Sequence, residues 1–224
     1  MGLISPARLL VWVMRGLAML VAIPVHESAH AWASDKLGDP TAKNMGRLSL
    51  NPMAHFDLLG ALCMIVAGVG WAKPVPVYPS RYKNPKTGMA LSAAAGPLSN
   101  VLLAFLSIIV YKLVYYFVPA GLVANLVLDF LYYMVAINVS LAVFNLLPVP
   151  PFDGSRILLL VLPQRTYFRI MQYERQIFIV MFVLLMLGVF DVPLYWLNNS
   201  MWNLLNHATS FIDRAVYMAA GVAV

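Results

Sequence analysis

Long apolar stretches, separated by short polar segments, run through the 224 residues of the chain. A helix needs about 20 consecutive apolar residues to cross the interior of a membrane. The pattern therefore predicts membrane-spanning helices at residues 9–34, 88–118, 122–147 and 176–197. Residues 198–224 are less uniformly apolar and predict either a further, shorter span or an amphipathic helix in the membrane interface.

A fifth apolar stretch, residues 53–72, is interrupted by His55, Asp57 and several glycines. Its flanking segments, Lys36–Arg47 and Lys73–Lys86, are both rich in lysine and arginine. Because such loops stay on the cytoplasmic side of a membrane, both flanks are expected on one side. We therefore expect a re-entrant or hairpin segment, packed against protein or lining a cavity.

The composition also indicates a membrane protein. Hydrophobic residues make up 62% of the chain and charged residues 11%, whereas soluble proteins average about 45–50% and 25%. The formal net charge of +6 comes from lysines and arginines in short loops, so we expect a lipid bilayer and no nucleic acid as partner. The single cysteine, Cys63, excludes an intramolecular disulfide and a cysteine-based zinc site.

The motif His26-Glu27-Ser28-Ala29-His30 lies inside the first predicted span. Residues four apart share one face of a helix, so His26 and His30 can bind one metal ion with Glu27 beside them. In zinc hydrolases such a glutamate is the general base. A short motif can match by chance, and helical histidines are often plain surface residues. Ionisable side chains at membrane depth cost about 2.5–3.5 kcal/mol each, however, so three together favour the metal site.

A catalytic zinc site takes three protein ligands and keeps one open position. Asp153 is the best third candidate, because it follows the 122–147 span at the depth where the two histidines lie in the first span. The prolines before it end the helix, and Gly154 permits a turn that aims the carboxylate. The alternative is an ordinary Pro-Pro-x-Asp-Gly surface turn.

Together, these features predict an all-α polytopic membrane protein with about four to six transmembrane helices plus the re-entrant or hairpin segment, around a buried metal site. We expect a single membrane-embedded domain over residues 1–224, with a core at 9–156 and C-terminal helices at 176–224.

The chain resembles the site-2 protease family, intramembrane zinc metalloproteases of the peptidase M50 type. The stretches that carry the resemblance, in chain order, are His26–His30, Gly46–Asp57, Gly70–Val77, Ala95–Asn100 and Asn145–Gly154. The resemblance implies Zn²⁺ held by His26, His30 and Asp153, with Glu27 as general base and acid. It also implies that Asn145 lies at the active site, where it helps to hold the substrate or an oxyanion. We expect a short form without PDZ or CBS domains.

Asn100 and His55 are further candidates for contact with the substrate or the transition state. His55, with Asp57 two residues on, is open to three interpretations. It forms a second metal site, it is a hydrogen-bonded polar residue of the re-entrant segment, or it supports the first metal site.

The predicted function is zinc-dependent hydrolysis of a peptide bond within or near a transmembrane helix of a membrane-protein substrate, as in regulated intramembrane proteolysis. Residues 47–50 predict a short strand, and residues 47–57 and 71–79 are candidates to pair with an extended substrate segment. The expected location is the cell membrane (plasma or inner), with the active site toward the cytoplasm. The alternatives are a membrane metal transporter, which needs more intramembrane ligands, and an inactive scaffold, which would be expected to lose Glu27 first. The oligomeric state is open.

Overall fold

The computed structural model describes residues 5–55, 57 and 73–220. In chain order the helices are α1 (Pro6–Leu37), α2 (Thr41–Asn44), α3 (Pro85–Phe117), α4 (Leu122–Asn145), α5 (Asp153–Ile157), α6 (Gln164–Met171), α7 (Glu174–Met186), α8 (Asp191–Ala208) and α9 (Ser210–Ala219). Single turns of 3₁₀ helix lie at Pro52–Ala54, Pro79–Arg81 and Leu158–Leu160.

The two longest helices begin with the same capping pattern. The Ser5 side chain accepts a hydrogen bond from the Arg8 amide (3.3 Å) at the start of α1, and Asn84 caps α3 in the same way. A proline follows each cap at the first helical position, where its missing N–H has no helical partner to lose. Gly38 caps the C-terminus of α1, and its positive φ of 114° is accessible to glycine.

Within the described residues, three helices, α1, α3 and α4, are long and apolar enough to cross a membrane. Counting α7 and α8 as one bent span raises the number to four. The all-α membrane class is confirmed, with three to four candidate spans among the described residues.

Residues 176–197 do not form the single helix that the sequence predicts. Helix α7 ends at Met186, α8 begins at Asp191, and their axes differ by 87°. Gly188 lies at the break with a φ of 71°, and a β-carbon there would come within 2.8 Å of the Asp191 carboxylate. The left-handed glycine therefore turns the chain inside a stretch that hydropathy alone treats as uniform.

Of the two elements predicted for residues 198–224, the structure agrees with the amphipathic helix and not with a further span. Residues 198–220 complete α8 and form α9, whose 10 residues are too few to cross a membrane. Helix α9 is joined to α3 by an ion pair between Lys112 Nζ and Asp213 Oδ2 (2.6 Å). The Tyr116 hydroxyl donates to the same carboxylate (3.0 Å), so the end of the chain is attached to a spanning helix.

Most of the predicted re-entrant segment, residues 56 and 58–72, lies outside the described residues. Its two described flanks meet, because the Lys73 amide donates to the His55 carbonyl (2.8 Å). The strand predicted at residues 47–50 does not form within the described part of the chain. Arg47 instead turns inward and donates to the Ala54 carbonyl (2.6 Å). The Ser49 carbonyl is hydrogen-bonded to the Ser28 and His55 side chains and not to a neighbouring strand.

The core lies where α1, α3 and α4 pack against one another. Small residues let these helices approach closely: Ala18 and Ala22 of α1, Ala104 of α3 and Ala142 of α4 are fully buried. Branched side chains of α3, α4 and α8 pack beside them in a cluster formed by Ile108, Val135, Val139, Val143 and Leu205. This three-helix core is the frame on which the candidate site is built.

Candidate active site

His26 and His30 lie on the face of α1 that is turned toward the core. Every fourth residue along this face, from Ala18 through Ala22 to Ser34, is buried, and the two histidines fall in the same series. Their Nε2 atoms are 3.0 Å apart. The helical spacing of the motif therefore points both ring nitrogens at one place, as predicted.

Asp153 approaches the same place from another element. It is the first residue of α5, and its Oδ2 lies 3.3 Å from Nε2 of His26 and 3.2 Å from Nε2 of His30. Gly154 makes this possible, because a β-carbon there would overlap the carbonyl oxygens of Leu146 and Leu147. Among the residues that the structure describes, these three side chains form the one cluster whose ligand atoms lie within 4.8 Å of each other.

The donor set and its spacing fit zinc. Two imidazole nitrogens and one carboxylate are a usual ligand set for a catalytic site with an open fourth position. With ligand bonds of about 2.0–2.1 Å, tetrahedral geometry separates two ligand atoms by about 3.3 Å. The three separations here are 3.0, 3.2 and 3.3 Å. The residues present therefore fit the metal that the sequence predicts.

Both histidine rings are held from behind. The Nδ1 atom of His26 lies 2.6 Å from Oδ1 of Asn100, and Nδ1 of His30 lies 2.7 Å from the Ser92 carbonyl oxygen. Both partners come from α3. Each oxygen accepts a hydrogen bond from the Nδ1–H group, which leaves the Nε2 lone pair of each ring free for a metal ion.

Asn100, expected to contact the substrate or the transition state, lies behind the His26 ring in the structure. Its side chain is fully buried there and does not face the cavity in front of the ligands. Contact with substrate is therefore not the role that this position supports. Its position is that of a residue that orients His26.

His55 also lies away from the three ligand candidates. It is fully buried, and its Nε2 lies 2.7 Å from the Ser49 carbonyl oxygen, to which the Ser28 hydroxyl also donates (2.5 Å). Within the described residues, no second metal cluster includes His55. Its contacts connect the loop after α2 to the helix that carries the motif, which agrees with a supporting role.

A cavity of about 400 Å³ opens in front of the ligand candidates. Glu27 and Asn145 line it, so the predicted general base and the predicted substrate contact share one space. Arg156, one helical turn after Asp153, lines it as well. Apolar side chains form most of the remaining wall, among them Ile23, Val75, Leu141, Phe144, Phe178 and Met181. The site thus combines a few polar groups with an apolar enclosure.

Asp39 anchors residues 73–78, an irregular segment that forms part of the cavity wall. Its carboxylate is fully buried and accepts hydrogen bonds from the Tyr78 amide (2.7 Å), the Thr41 amide (3.1 Å) and the Thr41 hydroxyl. Burial alone would raise the pKa of Asp39, but these hydrogen bonds and nearby Arg81 hold it below its ordinary value. The ionised carboxylate therefore ties the loop after α1 to the cavity wall.

Sequence reasoning missed Ser92, Asn138, Asp39 and Arg156. Asn138 carried a signal, because a buried amide within an apolar span needs a partner. Arg156 carried another, since it follows Asp153 by three residues and so shares its side of a helix. Ser92 contributes a backbone carbonyl, for which side-chain patterns give no signal.

Comparisons with known proteins point to one family. The family model for Peptidase family M50 matches residues 114–189, which include Asp153 but not the histidine motif. The protein named "Putative zinc metalloprotease YwhC" from Bacillus subtilis is 38% identical over 192 residues, covering 85% of this chain and 84% of its own.

Two further relatives carry the same kind of name. MJ0611 of Methanocaldococcus jannaschii is 37% identical over 106 residues, covering 45% of this chain and 49% of its own. Rip2 of Mycolicibacterium smegmatis is 29% identical over 140 residues, covering 60% of this chain and 52% of its own. No solved structure matched the chain. On the extent of the similarity to YwhC, the chain belongs to peptidase family M50 and is a membrane zinc metalloprotease of the site-2 type.

Proposed function

We propose that the chain is an intramembrane endopeptidase that hydrolyses a peptide bond within or near a transmembrane helix of another membrane protein. The observation that carries the proposal is the cluster of His26, His30 and Asp153, which lies among three helices long enough to span a membrane. Helices α1 and α3 supply the two histidines and their hydrogen-bond partners. A hydrolytic centre in this position is suited to substrates that are themselves in the membrane.

His26, His30 and Asp153 are the proposed zinc ligands, and Glu27 is the proposed general base and acid. Bound zinc would supply Lewis-acid activation of water and of the scissile carbonyl. Glu27 takes the proton of the attacking water and delivers it to the leaving amine. Its half-buried carboxylate lines the cavity beside the two histidines, as both proton transfers require.

Asn145 is the proposed polar contact for the substrate. It ends α4, lines the cavity, and donates from Nδ2 to the Leu141 carbonyl (2.9 Å). This hydrogen bond fixes the side chain at the mouth of the site. An amide held in that way can bind a peptide carbonyl or the oxyanion that develops from it.

The shape of the cavity wall suits an unwound substrate. A helical peptide bond is shielded by its own hydrogen bonds, so the substrate must become extended before cleavage. Residues 73–78 form neither helix nor strand, Tyr78 has an extended backbone, and Pro74, Val75 and Val77 line the cavity. Their backbone groups can pair with an extended segment while the apolar wall receives its side chains.

A metal transporter and an inactive scaffold were the alternatives from sequence. A transport path needs successive ligand clusters across the membrane, and the described residues contain one. An inactive scaffold is disfavoured by Glu27, which is present and faces the cavity.

The decisive experiment compares the purified protein with its Glu27→Gln variant. In proteoliposomes, the protein should cleave a co-reconstituted substrate with one transmembrane helix. The variant should cleave it about 10²–10⁴-fold more slowly. The variant should keep its zinc, because the proposed ligands are unchanged. Glu174→Gln, which alters the only other glutamate, is the matched control and should retain activity.

A second substrate tests the membrane-specific part of the proposal. A soluble peptide carrying the same cleavage sequence should be a poor substrate. Efficient cleavage of the soluble peptide with no cleavage of the membrane-embedded form would contradict intramembrane proteolysis while leaving metalloprotease activity intact. Zinc flux into protein-containing vesicles would favour the transporter.

A further inference from the structure

A chain of side-chain hydrogen bonds runs from the middle of α4 to the back of His26. Asn138 donates from Nδ2 to the Met134 carbonyl (2.7 Å), and its Oδ1 accepts from Nδ2 of Asn100 (2.7 Å). Oδ1 of Asn100 then lies 2.6 Å from Nδ1 of His26. Both asparagine side chains are fully buried.

The Met134 carbonyl, at the far end of this series of hydrogen bonds, determines which group donates in each of them. The Met134 carbonyl can only accept, so Asn138 must present its NH₂ group there and its oxygen to Asn100. Asn100 must then present its NH₂ group to Asn138 and its oxygen to His26. That oxygen can only accept, so the proton of a neutral His26 ring is on Nδ1.

We propose that Asn138 is a positioning residue for His26. Through Asn100 it fixes His26 in the tautomer that leaves Nε2 unprotonated and directed at Asp153 and His30. The inference rests on the proposed zinc ligation by His26. Asn138 lies on α4 and is two hydrogen bonds away from the imidazole, so it acts only through Asn100.

His30 needs no residue in the position of Asn138, because its hydrogen-bond partner is a backbone carbonyl. Its Nδ1 faces the Ser92 carbonyl oxygen directly (2.7 Å), and a backbone carbonyl cannot reverse its polarity. The partner of His26 is a side-chain amide, which can rotate to present NH₂ in place of oxygen. Asn138 removes that freedom, because a rotated Asn100 would place two oxygens against each other and two donors against each other.

The test uses two substitutions of Asn138. Asn138→Leu removes the acceptor for Asn100 and leaves Asn100 free to rotate. Asn138→Asp restores the polarity, because a buried, neutral carboxyl can donate from its hydroxyl to Met134 and accept from Asn100 with its carbonyl. Ser107→Ala is the matched control, since Ser107 is a buried α3 residue whose hydroxyl donates to the Leu103 carbonyl (2.7 Å) outside the chain of hydrogen bonds.

Two readouts apply, and neither depends on activity. The zinc dissociation constant is measured by competition with a chelator, and the tautomer of His26 is read from imidazole ¹⁵N shifts in the zinc-free protein. Asn138→Leu should weaken zinc binding about 10–100-fold, as loss of support behind a ligand typically does. It should also give a mixture of His26 tautomers. Asn138→Asp and Ser107→Ala should stay close to wild type in both measurements.

The inference is overturned if Asn138→Leu binds zinc as wild type does, or if all three variants weaken binding alike. The second result would mean a general loss of packing in place of tautomer control. Failure of the wild-type protein to bind zinc would contradict the proposed ligand set. In that case the ¹⁵N shifts of the zinc-free protein still decide whether Asn138 controls His26, so the two proposals fail separately.

Discussion

Gly96 of α3 lies directly against the imidazole ring of His30 on α1. A β-carbon at position 96 would overlap Nε2 of His30 and come within 2.7 Å of Cε1 of His26. Both atoms belong to the edge of the rings that faces the ligand cluster. The close approach of the two helices and the geometry of the proposed metal site therefore depend on the same missing side chain.

Gly96→Ala should abolish or strongly weaken zinc binding, because the new methyl group occupies the space of the His30 ring. In a helix this substitution otherwise stabilises by up to about 1 kcal/mol, so the local clash opposes the ordinary trend. Zinc content after dialysis measures the effect. Gly16→Ala is the control, since a β-carbon at position 16 of α1 meets nothing within 4 Å. Full zinc content in Gly96→Ala would show that the helices can separate without loss of the site.

The sequence predicted much of this site because its geometry follows from local rules. The spacing of His26 and His30 requires only a helix, and the prolines before Asp153 with Gly154 after it predict a turn. Pairing between helices follows from no such rule. That Asn138 faces Asn100 depends on the rotation of α4 against α3, which an apolar pattern leaves undetermined.

The break within residues 176–197 was missed for a different physical reason. Hydropathy measures how well side chains fit an apolar environment and is insensitive to backbone direction. A single left-handed residue, Gly188, is enough to turn the chain by 87° between α7 and α8 without lowering the apolar content. A glycine flanked by apolar residues gives too weak a signal to place such a break.

Asp153→Ala should lower both zinc content and proteolysis, because it removes the one charged ligand of the proposed set. Asp153→Asn keeps the size of the side chain and should still bind zinc more weakly than wild type, since an amide oxygen is a poorer ligand than a carboxylate. Asp129→Asn, at an exposed position of α4, provides the control for loss of a carboxylate. Stoichiometric zinc in Asp153→Ala would mean that another residue is the third ligand.

The ion pair between Lys112 and Asp213 should contribute measurably to stability. Lys112 is only 13% exposed, and Tyr116 also donates to the carboxylate. Asp213→Asn should destabilise the protein by about 1.5–3 kcal/mol, the range for hydrogen bonds to charged groups. The double variant with Lys112→Met should lose less than the sum of the single variants, because each single change leaves an unpaired partner.

Thermal unfolding in detergent measures this coupling. The control is the pair formed by Lys43 and Asp35 (3.1 Å), in which the lysine is 53% exposed. Lys43→Met should change stability by at most about 1 kcal/mol, as is typical of surface ion pairs. Strictly additive effects at Lys112 and Asp213 would mean that the ion pair does not fasten α9 to α3.

The last prediction concerns orientation in the membrane. Single cysteines at positions 40, 80 and 165, in a Cys63→Ala background, should resist an impermeant thiol reagent applied to intact cells, whereas position 120 should react. Lysine and arginine are concentrated in the segments around the first three positions, which connect the apolar spans, and such segments stay in the cytoplasm. The link at position 120 is uncharged and lies at the opposite end of α3, a helix of 33 residues and so about 50 Å long.

The contacts between the loops make this test sharper than charge alone allows. Arg81 donates to the Thr41 hydroxyl (2.5 Å) and the Tyr78 amide donates to Asp39, so positions 40 and 80 belong to the same end of the helices. The Lys73 amide meets the His55 carbonyl at that end as well. All of the positions become reactive once the cells are permeabilised, which controls for buried sites. Labelling of position 80 but not 40 in intact cells would place these loops on opposite faces, and residues 73–78 could then not form the wall of a site that opens toward the cytoplasm.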